Sequence, residues 1–149
     1  FFLLSLYTVA YSFAQDPTLE WAKSIGGADD EKGYAITTDA NGNVYSTGKF
    51  EGTVDFDPGP DTLYLSAQFS STAQMFIQKL DATGKLVWAK AITGNQVIGK
   101  SITTDTAGNV YVTGSFRGTV DFDPGSGTLN FTSAGDDDIF VQKLKTCKF

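Results

Sequence analysis

The chain has 149 residues, 41% of them apolar, so it is long and hydrophobic enough to bury the core of one domain. Its formal net charge of −6 would repel nucleic-acid phosphates, which excludes a nucleic-acid partner. The lack of histidine removes the commonest general base and the usual nitrogen ligand of zinc, and the single Cys147 permits no internal disulfide. These counts exclude most hydrolase mechanisms and cysteine metal clusters.

The first predicted element is an uncharged apolar run, FFLLSLYTVAYSFA, over residues 1–14. It is shorter than the ~20 residues that a membrane-spanning helix needs. Ser12 and Ala14 occupy the small positions of a signal-peptidase site, so the run predicts a signal peptide cut before Gln15 and an exported mature chain without a membrane span. A basic n-region is missing, and we expect the sequence to begin inside the signal peptide. A buried N-terminal strand is the alternative.

Two copies of one unit make up most of the remaining chain. AITTDANGNVYSTGKFEGTVDFDPG, from Ala35, recurs as SITTDTAGNVYVTGSFRGTVDFDPG, from Ser101, at a constant offset of 66 residues. FIQKL at 76–80 is answered by FVQKL at 140–144, and WAKSIGG from Trp21 resembles WAKAITG from Trp88. Such self-similarity is typical of repeat architectures.

Within each copy, short segments that alternate apolar and polar residues predict β-strands. In the first copy these lie near residues 34–39, 43–50, 75–81 and 86–92. The segments DANGN and DTAGN predict hairpin turns, because Asp39 and Asp105 can accept backbone N–H bonds and the following glycines tolerate positive φ. A hairpin is inserted between the second and third strands, and its FDPG sequence favours a type II turn at Pro58 and Gly59.

Four antiparallel strands that repeat in this way, with turn glycines and a tryptophan at fixed places, predict an all-β fold of β-propeller blades. We expect the last strand of one blade at 19–25, a full blade at 34–92 and a partial blade at 100–144, within one repeat segment over residues 15–149. These strands form an incomplete propeller. Either the chain is a fragment of a longer protein with further blades, or several chains complete the ring.

The segments GYAITTDANGNVYSTG, MFIQKLDATGKLVWAKAITG, GNVYVTGSF and DDIFVQKL resemble the SBBP β-propeller repeats, found in long exported proteins of bacteria such as the Bacteroidetes. The resemblance covers nearly all of residues 21–144 and implies a secreted or cell-surface repeat protein without a shared catalytic site. LDATGKLVWAK also resembles the tryptophan-docking motif of quinoprotein-type propellers, but one residue is missing between Asp81 and Thr83. No quinone-binding residue can be assigned.

Two pairs of acidic residues are candidate metal ligands. Asp55 lies two residues from Asp57, and the pair recurs as Asp121 and Asp123. On a strand this spacing places both carboxylates on one face, and calcium prefers such oxygen clusters. The alternative is a solvated strand face beside a turn, because no third acidic ligand follows. Two acids on one strand also leave no room for a sugar between them, which argues against a glycosidase.

We therefore expect no catalytic residues, no cofactor and no enzyme activity in this segment. The predicted function is that of a structural or adhesive module on the cell surface, whose blades present loops to a protein or glycan partner. The alternatives are a propeller scaffold within a larger secreted enzyme, or a quinoprotein-like propeller.

Overall fold

The structure is a computed structural model that describes residues 16–69 and 71–145. The predicted signal peptide and Cys147 lie outside the described residues. The described chain forms nine β-strands: β1 (Lys32–Thr38), β2 (Val44–Phe50), β3 (Thr53–Asp55), β4 (Tyr64–Ser66), β5 (Gln74–Leu80), β6 (Leu86–Thr104), β7 (Val110–Asp121), β8 (Asn130–Thr132) and β9 (Asp138–Leu144). Over these residues there is no helix with the length and apolar character needed to cross a bilayer. The predicted all-β fold is confirmed.

The strands form two antiparallel blades. Blade 1 consists of β1, β2, β5 and the first part of β6, residues 86–92, in that spatial order. Blade 2 consists of the second part of β6, residues 93–104, followed by β7 and β9. The inserted hairpin of blade 1 is formed by β3 and β4, and its counterpart in blade 2 pairs β8 with the end of β7.

Both copies pair their strands in the same register. In blade 1, Gly33 pairs with Gly48 and a bulge follows; in blade 2, Gly99 pairs with Gly114 and the same bulge follows. The inserted hairpins correspond as well, with Thr53 opposite Ser66 and Thr119 opposite Thr132. The two copies therefore share one strand order over these strands. Residues that are 66 positions apart in the sequence occupy equivalent places in the two blades.

Two details differ from the sequence prediction. The predicted strand at 86–92 does not end there but continues as β6 through 19 residues, because residues 93–104 find a partner in β7. The predicted strand at 19–25 does not form: only an isolated bridge joins the following Gly26 to Asp55. No other described strand lies alongside this segment to complete a ladder, although the indole N–H of Trp21 donates to the carbonyl of Ala82 at 3.1 Å.

One hydrophobic cluster lies between the two blades. Tyr45, Met75 and Ile77 of blade 1 pack in the same cluster as Ile102 and Val112 of blade 2, all nearly inaccessible to solvent. A second cluster lies on the other side of blade 1, where the inserted hairpin covers the sheet; its buried members are Phe50, Val54, Phe56, Phe76 and Ala89. The inserted hairpin therefore contributes buried residues to the hydrophobic core.

The two blades are in close contact at Gly99. A Cβ atom at this position would overlap Oγ1 of Thr47 and lie 3.0 Å from Sδ of Met75. The φ of Gly99 is not positive, so the requirement for glycine comes from space and not from backbone conformation.

We predict that Gly99→Ala lowers the free energy of unfolding by about 1–3 kcal/mol, because the added methyl group overpacks the contact between the blades. Urea unfolding followed by tryptophan fluorescence measures the change. Gly135→Ala is the matched control, since a Cβ there has no heavy atom within 4 Å. Equal stability of the two variants would show that the blades are not held in close contact at this point.

Candidate functional site

Aspartates organise the turns at one end of the blades. Oδ1 of Asp39 accepts the backbone N–H groups of Asn41 at 2.9 Å and Asn43 at 3.1 Å. In the second copy, Oδ1 of Asp105 accepts the N–H groups of Ala107 at 3.0 Å and Asn109 at 2.9 Å. The glycines of these turns, Gly42 and Gly108, have φ of 77° and 83°, as the sequence predicts. Aspartate as a backbone acceptor is therefore confirmed in both turns.

The second carboxylate oxygen of each aspartate is also occupied. Oδ2 of Asp39 accepts from the side-chain amide of Asn43 at 2.8 Å and from the hydroxyl of Tyr45 at 3.1 Å. Asn109 and Tyr111 donate in the same way, and at the same distances, to Oδ2 of Asp105. These hydrogen bonds, the one from Asn109 foremost, lower the pKa of Asp105 to about 2. Burial opposes ionisation of Asp39, but its hydrogen bonds still lower its pKa.

The two turns lie side by side and border a shallow cavity of about 440 Å³ that spans both blades and has both polar and apolar lining. Thr104 of blade 2 donates its hydroxyl hydrogen to the carbonyl of Thr38 in blade 1 at 3.4 Å. Nζ of Lys79 lies 4.0 Å from Oδ2 of Asp39 and 5.1 Å from the ring centroid of Tyr45. The cavity offers polar contacts to a ligand. Its two carboxylates are poor general bases at neutral pH, because their pKa values are low and their oxygens are already hydrogen-bonded.

The four candidate calcium ligands lie in the inserted hairpins and not at these turns. Oδ1 of Asp55 accepts the N–H groups of Asp57 at 3.0 Å and Leu63 at 2.9 Å, and Oδ1 of Asp57 accepts the N–H of Gly59 at 2.7 Å. In the second copy, Oδ1 of Asp121 accepts the N–H groups of Asp123 and Leu129, and Oδ1 of Asp123 accepts the N–H of Gly125. Each carboxylate thus serves as an acceptor within its own hairpin.

The turn type predicted for FDPG is wrong. A type II turn needs positive φ at its glycine, and Gly59 does not have it. The carboxylate of Asp57 closes the turn instead, by accepting the N–H two residues ahead. Within residues 16–69 and 71–145, no three acidic, histidine or cysteine side chains are grouped as a metal site would require. Calcium binding by the aspartate pairs stays a prediction.

A larger cavity, which the sequence analysis did not find, lies beside β9. It has a volume of about 770 Å³ and a mostly apolar lining. Trp88 of blade 1 forms one wall, and Phe122, Leu129, Phe131 and Val141 of blade 2 contribute to the others. Leu129 and Phe131 are about half exposed, although they alternate with polar residues along the inserted hairpin of blade 2. This alternation of apolar and polar residues was the feature of the sequence that could have indicated the cavity.

The nine antiparallel strands and their two blades define a β-propeller repeat module. Two segments, residues 20–49 and 83–115, match the family model of the SBBP β-propeller repeat. The chain is also 29% identical over 126 residues to the uncharacterized WD repeat-containing protein L264 of Acanthamoeba polyphaga mimivirus, an alignment that covers 76% of this chain. The alignment spans only 9% of that relative. No solved structure matches the chain.

The low pKa of the turn aspartates predicts a loss of stability in acid. The folded-state pKa of Asp105 is about 2 against an ordinary value of 3.8, so its contribution is present above about pH 4 and is lost as the pH falls toward 2. We expect the urea midpoint to fall over this interval. Asp39→Asn combined with Asp105→Asn should flatten the fall, because an amide keeps one oxygen acceptor but does not titrate. Asp61→Asn, on an exposed loop, should keep the wild-type profile. An equally steep fall of the urea midpoint with pH in the double variant would contradict the assignment of this pH dependence to Asp39 and Asp105.

The calcium hypothesis predicts a higher melting midpoint in millimolar calcium than in chelator, since a ligand that binds only the native state stabilises it by about 2.7 kcal/mol at one hundred times its dissociation constant. The shift should disappear in Asp55→Asn combined with Asp121→Asn. An unchanged wild-type midpoint would leave these carboxylates as turn acceptors alone, and a shift that survives both substitutions would place the ion elsewhere.

Proposed function

We propose that this β-propeller repeat segment is a non-catalytic structural and interaction module of an exported or cell-surface protein. The observation that carries the proposal is the use of the carboxylates. Both oxygens of Asp39 and Asp105 are occupied by donors of their own blades. A general acid or base needs a titratable oxygen directed at a substrate and a pKa near the working pH. These aspartates offer neither, and they hold the turns in shape.

The interaction surface that fits this role is the end of the blades that bears the aspartate turns. The 440 Å³ cavity there is bordered by loops of both blades, and binding residues are commonly carried by loops that a rigid scaffold positions. The polar residues of its lining, which include Asn41 and Lys79, suit a polar protein segment or a glycan. The partner belongs to the cell surface if the chain is exported, as the apolar run at residues 1–14 predicts.

Processing of the N-terminus tests the proposed export. The full chain, preceded by an added Met-Lys-Lys n-region, is expressed in a Gram-negative host, and the periplasmic fraction is examined by intact-mass spectrometry. We expect a mature protein that begins at Gln15. Ala14→Leu is the matched control, because a large residue at the cleavage position should leave the signal uncut. A wild-type chain that stays in the cytoplasm at full mass would overturn the export proposal.

The same purified protein tests the non-catalytic role. Chromogenic glycosides, esters and phosphate esters should be turned over no faster by the wild type than by Asp39→Asn combined with Asp105→Asn. A turnover that the wild type shows and the folded double variant lacks would identify these carboxylates as catalytic and would overturn the proposal.

A further inference from the structure

A further cavity lies between the two blades, at the end opposite the aspartate turns. Thr93 begins and Thr104 ends the part of β6 that belongs to blade 2; the 440 Å³ cavity lies at Thr104, and this one lies at Thr93. Its volume is about 380 Å³, within the range of roughly 300–1,000 Å³ that is usual for small-molecule sites. Gln68 and Phe69 of blade 1 form one wall, and the other walls come from residues 93–95 of β6 and from blade 2.

Neighbouring blades leave the positions around this cavity open. Tyr64, the equivalent of Asn130 in blade 1, is 63% exposed although blade 2 follows blade 1. In blade 2, residues 134–137 lie in the loop that corresponds to the loop of Phe69, and they are exposed although blade 1 precedes them. A blade on either side of the described two would leave the cavity open in the same way.

A row of three polar side chains lines the cavity. Asp121 on β7 pairs with Thr93 on one side and with Asn130 on the other. Residues that pair directly across antiparallel strands share one face of the sheet, with Cβ atoms about 5 Å apart. Oδ1 of Asp121 accepts two backbone N–H groups of its own hairpin, but no described residue donates to its Oδ2. The row therefore presents a hydroxyl, a carboxylate oxygen and an amide side by side.

The fold does not require the side chains at the two ends of this row. Blade 1 forms the same pairs with Gly26 and Tyr64 on either side of Asp55. In blade 2, the side chains of Thr93 and Asn130 make no hydrogen bond to any residue that the structure describes. Their polar groups are therefore available to a ligand.

A β-bulge places a fourth polar group, the amide of Asn95, at the cavity. A register shift in the pairing of β6 with β7 sets Asn95 opposite two residues, Gly118 and Thr119. Gly118 has φ of 68°, and a Cβ there would lie 2.7 Å from Cβ of Asn95, so the bulge requires glycine. The side-chain oxygen of Asn95 accepts the N–H of Thr119 at 3.2 Å. This bond orients the amide, whose two N–H donors find no acceptor among the described residues.

Phe69 forms an apolar wall beside the polar row, and it is about half exposed. Its carbonyl accepts the backbone N–H of Thr72 at 3.2 Å and the hydroxyl of Thr72 at 3.3 Å. The hydroxyl oxygen of Thr72 accepts the amide of Gln74 at 3.0 Å, and Gln74 is hydrogen-bonded in both directions to Gly94. This chain of hydrogen bonds ties the loop of Phe69 to the strand that carries the polar groups.

The charges of the cavity select an uncharged ligand. Among the described residues that line it, Asp121 is the one carboxylate and none is lysine or arginine, so a phosphate or carboxylate ligand would find no cation to pair with. The hydroxyl groups of a sugar both donate and accept hydrogen bonds, as the hydroxyl, amide and carboxylate groups here require. The C–H groups of a sugar ring are apolar and can pack against an aromatic side chain.

We propose that this cavity binds one uncharged sugar residue of a glycan. The ring of Phe69 packs against the C–H groups of the sugar, and Thr93, Asp121 and Asn130 bind its hydroxyl groups. The proposal rests on the proposed function for the role of an interaction module, but it uses a different surface from the 440 Å³ cavity. The two sites can therefore fail separately.

NMR titration of the isotope-labelled full chain tests the proposal. The probes are the methyl glycosides of glucose, galactose, mannose and N-acetylglucosamine, added in the presence of chelator so that calcium takes no part. We expect at least one of them to shift the amide signals of residues 93–95, 119–121 and 128–130 to saturation, with a dissociation constant on the order of 1 mM. The absence of a saturable shift with every probe would overturn the proposal. Shifts confined to residues 39–41 and 105–108 would also overturn it, and would support sugar binding at the 440 Å³ cavity instead.

Two variants test the assigned contacts. Phe69→Ala and Asn130→Ala should each weaken sugar binding about tenfold, because the first removes the aromatic contact and the second a hydrogen bond. Both side chains are exposed, so both variants should keep the wild-type unfolding midpoint. Tyr64→Ala, at the position of blade 1 equivalent to Asn130, is the matched control and should bind as the wild type does.

Wild-type affinity in both Phe69→Ala and Asn130→Ala would contradict the assigned site. A capped Gly-Ser-Thr-Gly peptide tests the class of ligand, because it offers hydroxyl and amide groups without a sugar ring. If this peptide saturates the same amide signals at lower concentration than every sugar, the assignment to a glycan is wrong.

Discussion

The packing of the two blades depends on Gly99, where the chain comes within contact distance of the neighbouring sheet. Its Cα lies where a side chain would strike Thr47 and Met75, so the spacing between the sheets is set by the absence of a Cβ atom. The side chain of Gln74 holds the strand nearby: its amide donates to the carbonyl of Gly94 at 3.1 Å, and its oxygen accepts the N–H of Gly94 at 2.8 Å. This buried amide is therefore fully used, and it fixes β6 where the strand leaves one blade for the other.

The sequence predicts those parts of the fold that depend on short-range pattern. Alternation of apolar and polar residues located the strands of both copies, because that pattern is set by the pleat of a half-buried sheet. The continuity of β6 was missed, since TGNQVIG at residues 93–99 has the glycines and asparagine of a loop. It is a strand because β7 offers it partners. The opposite error at 19–25 has the same origin: a strand needs a neighbour, and sequence alone does not place one.

The candidate site also contains some hydrogen bonds that the sequence predicts and others that it does not. Oδ1 of Asp39 bonds to N–H groups two and four residues ahead, so a five-residue motif was enough to predict it. The bond from Tyr45 depends on how the following strand leaves the turn, which the motif does not specify. For Asp55 and Asp57 the spacing predicts calcium ligands, and this stays a prediction. Each carboxylate accepts a backbone N–H two residues further along, a geometry that repeats with the sequence.

Because β6 belongs to both blades, the boundary of the sequence repeat falls inside a strand and not between the two blades. A duplication or deletion of one 66-residue unit at Ser101, where the second copy begins, breaks β6 and joins its first part to an equivalent second part. Both parts keep their spacing and their bulge, so the recombined strand has the same two partners as before. The number of repeats can therefore change during evolution without the recombination point having to fall at a blade boundary.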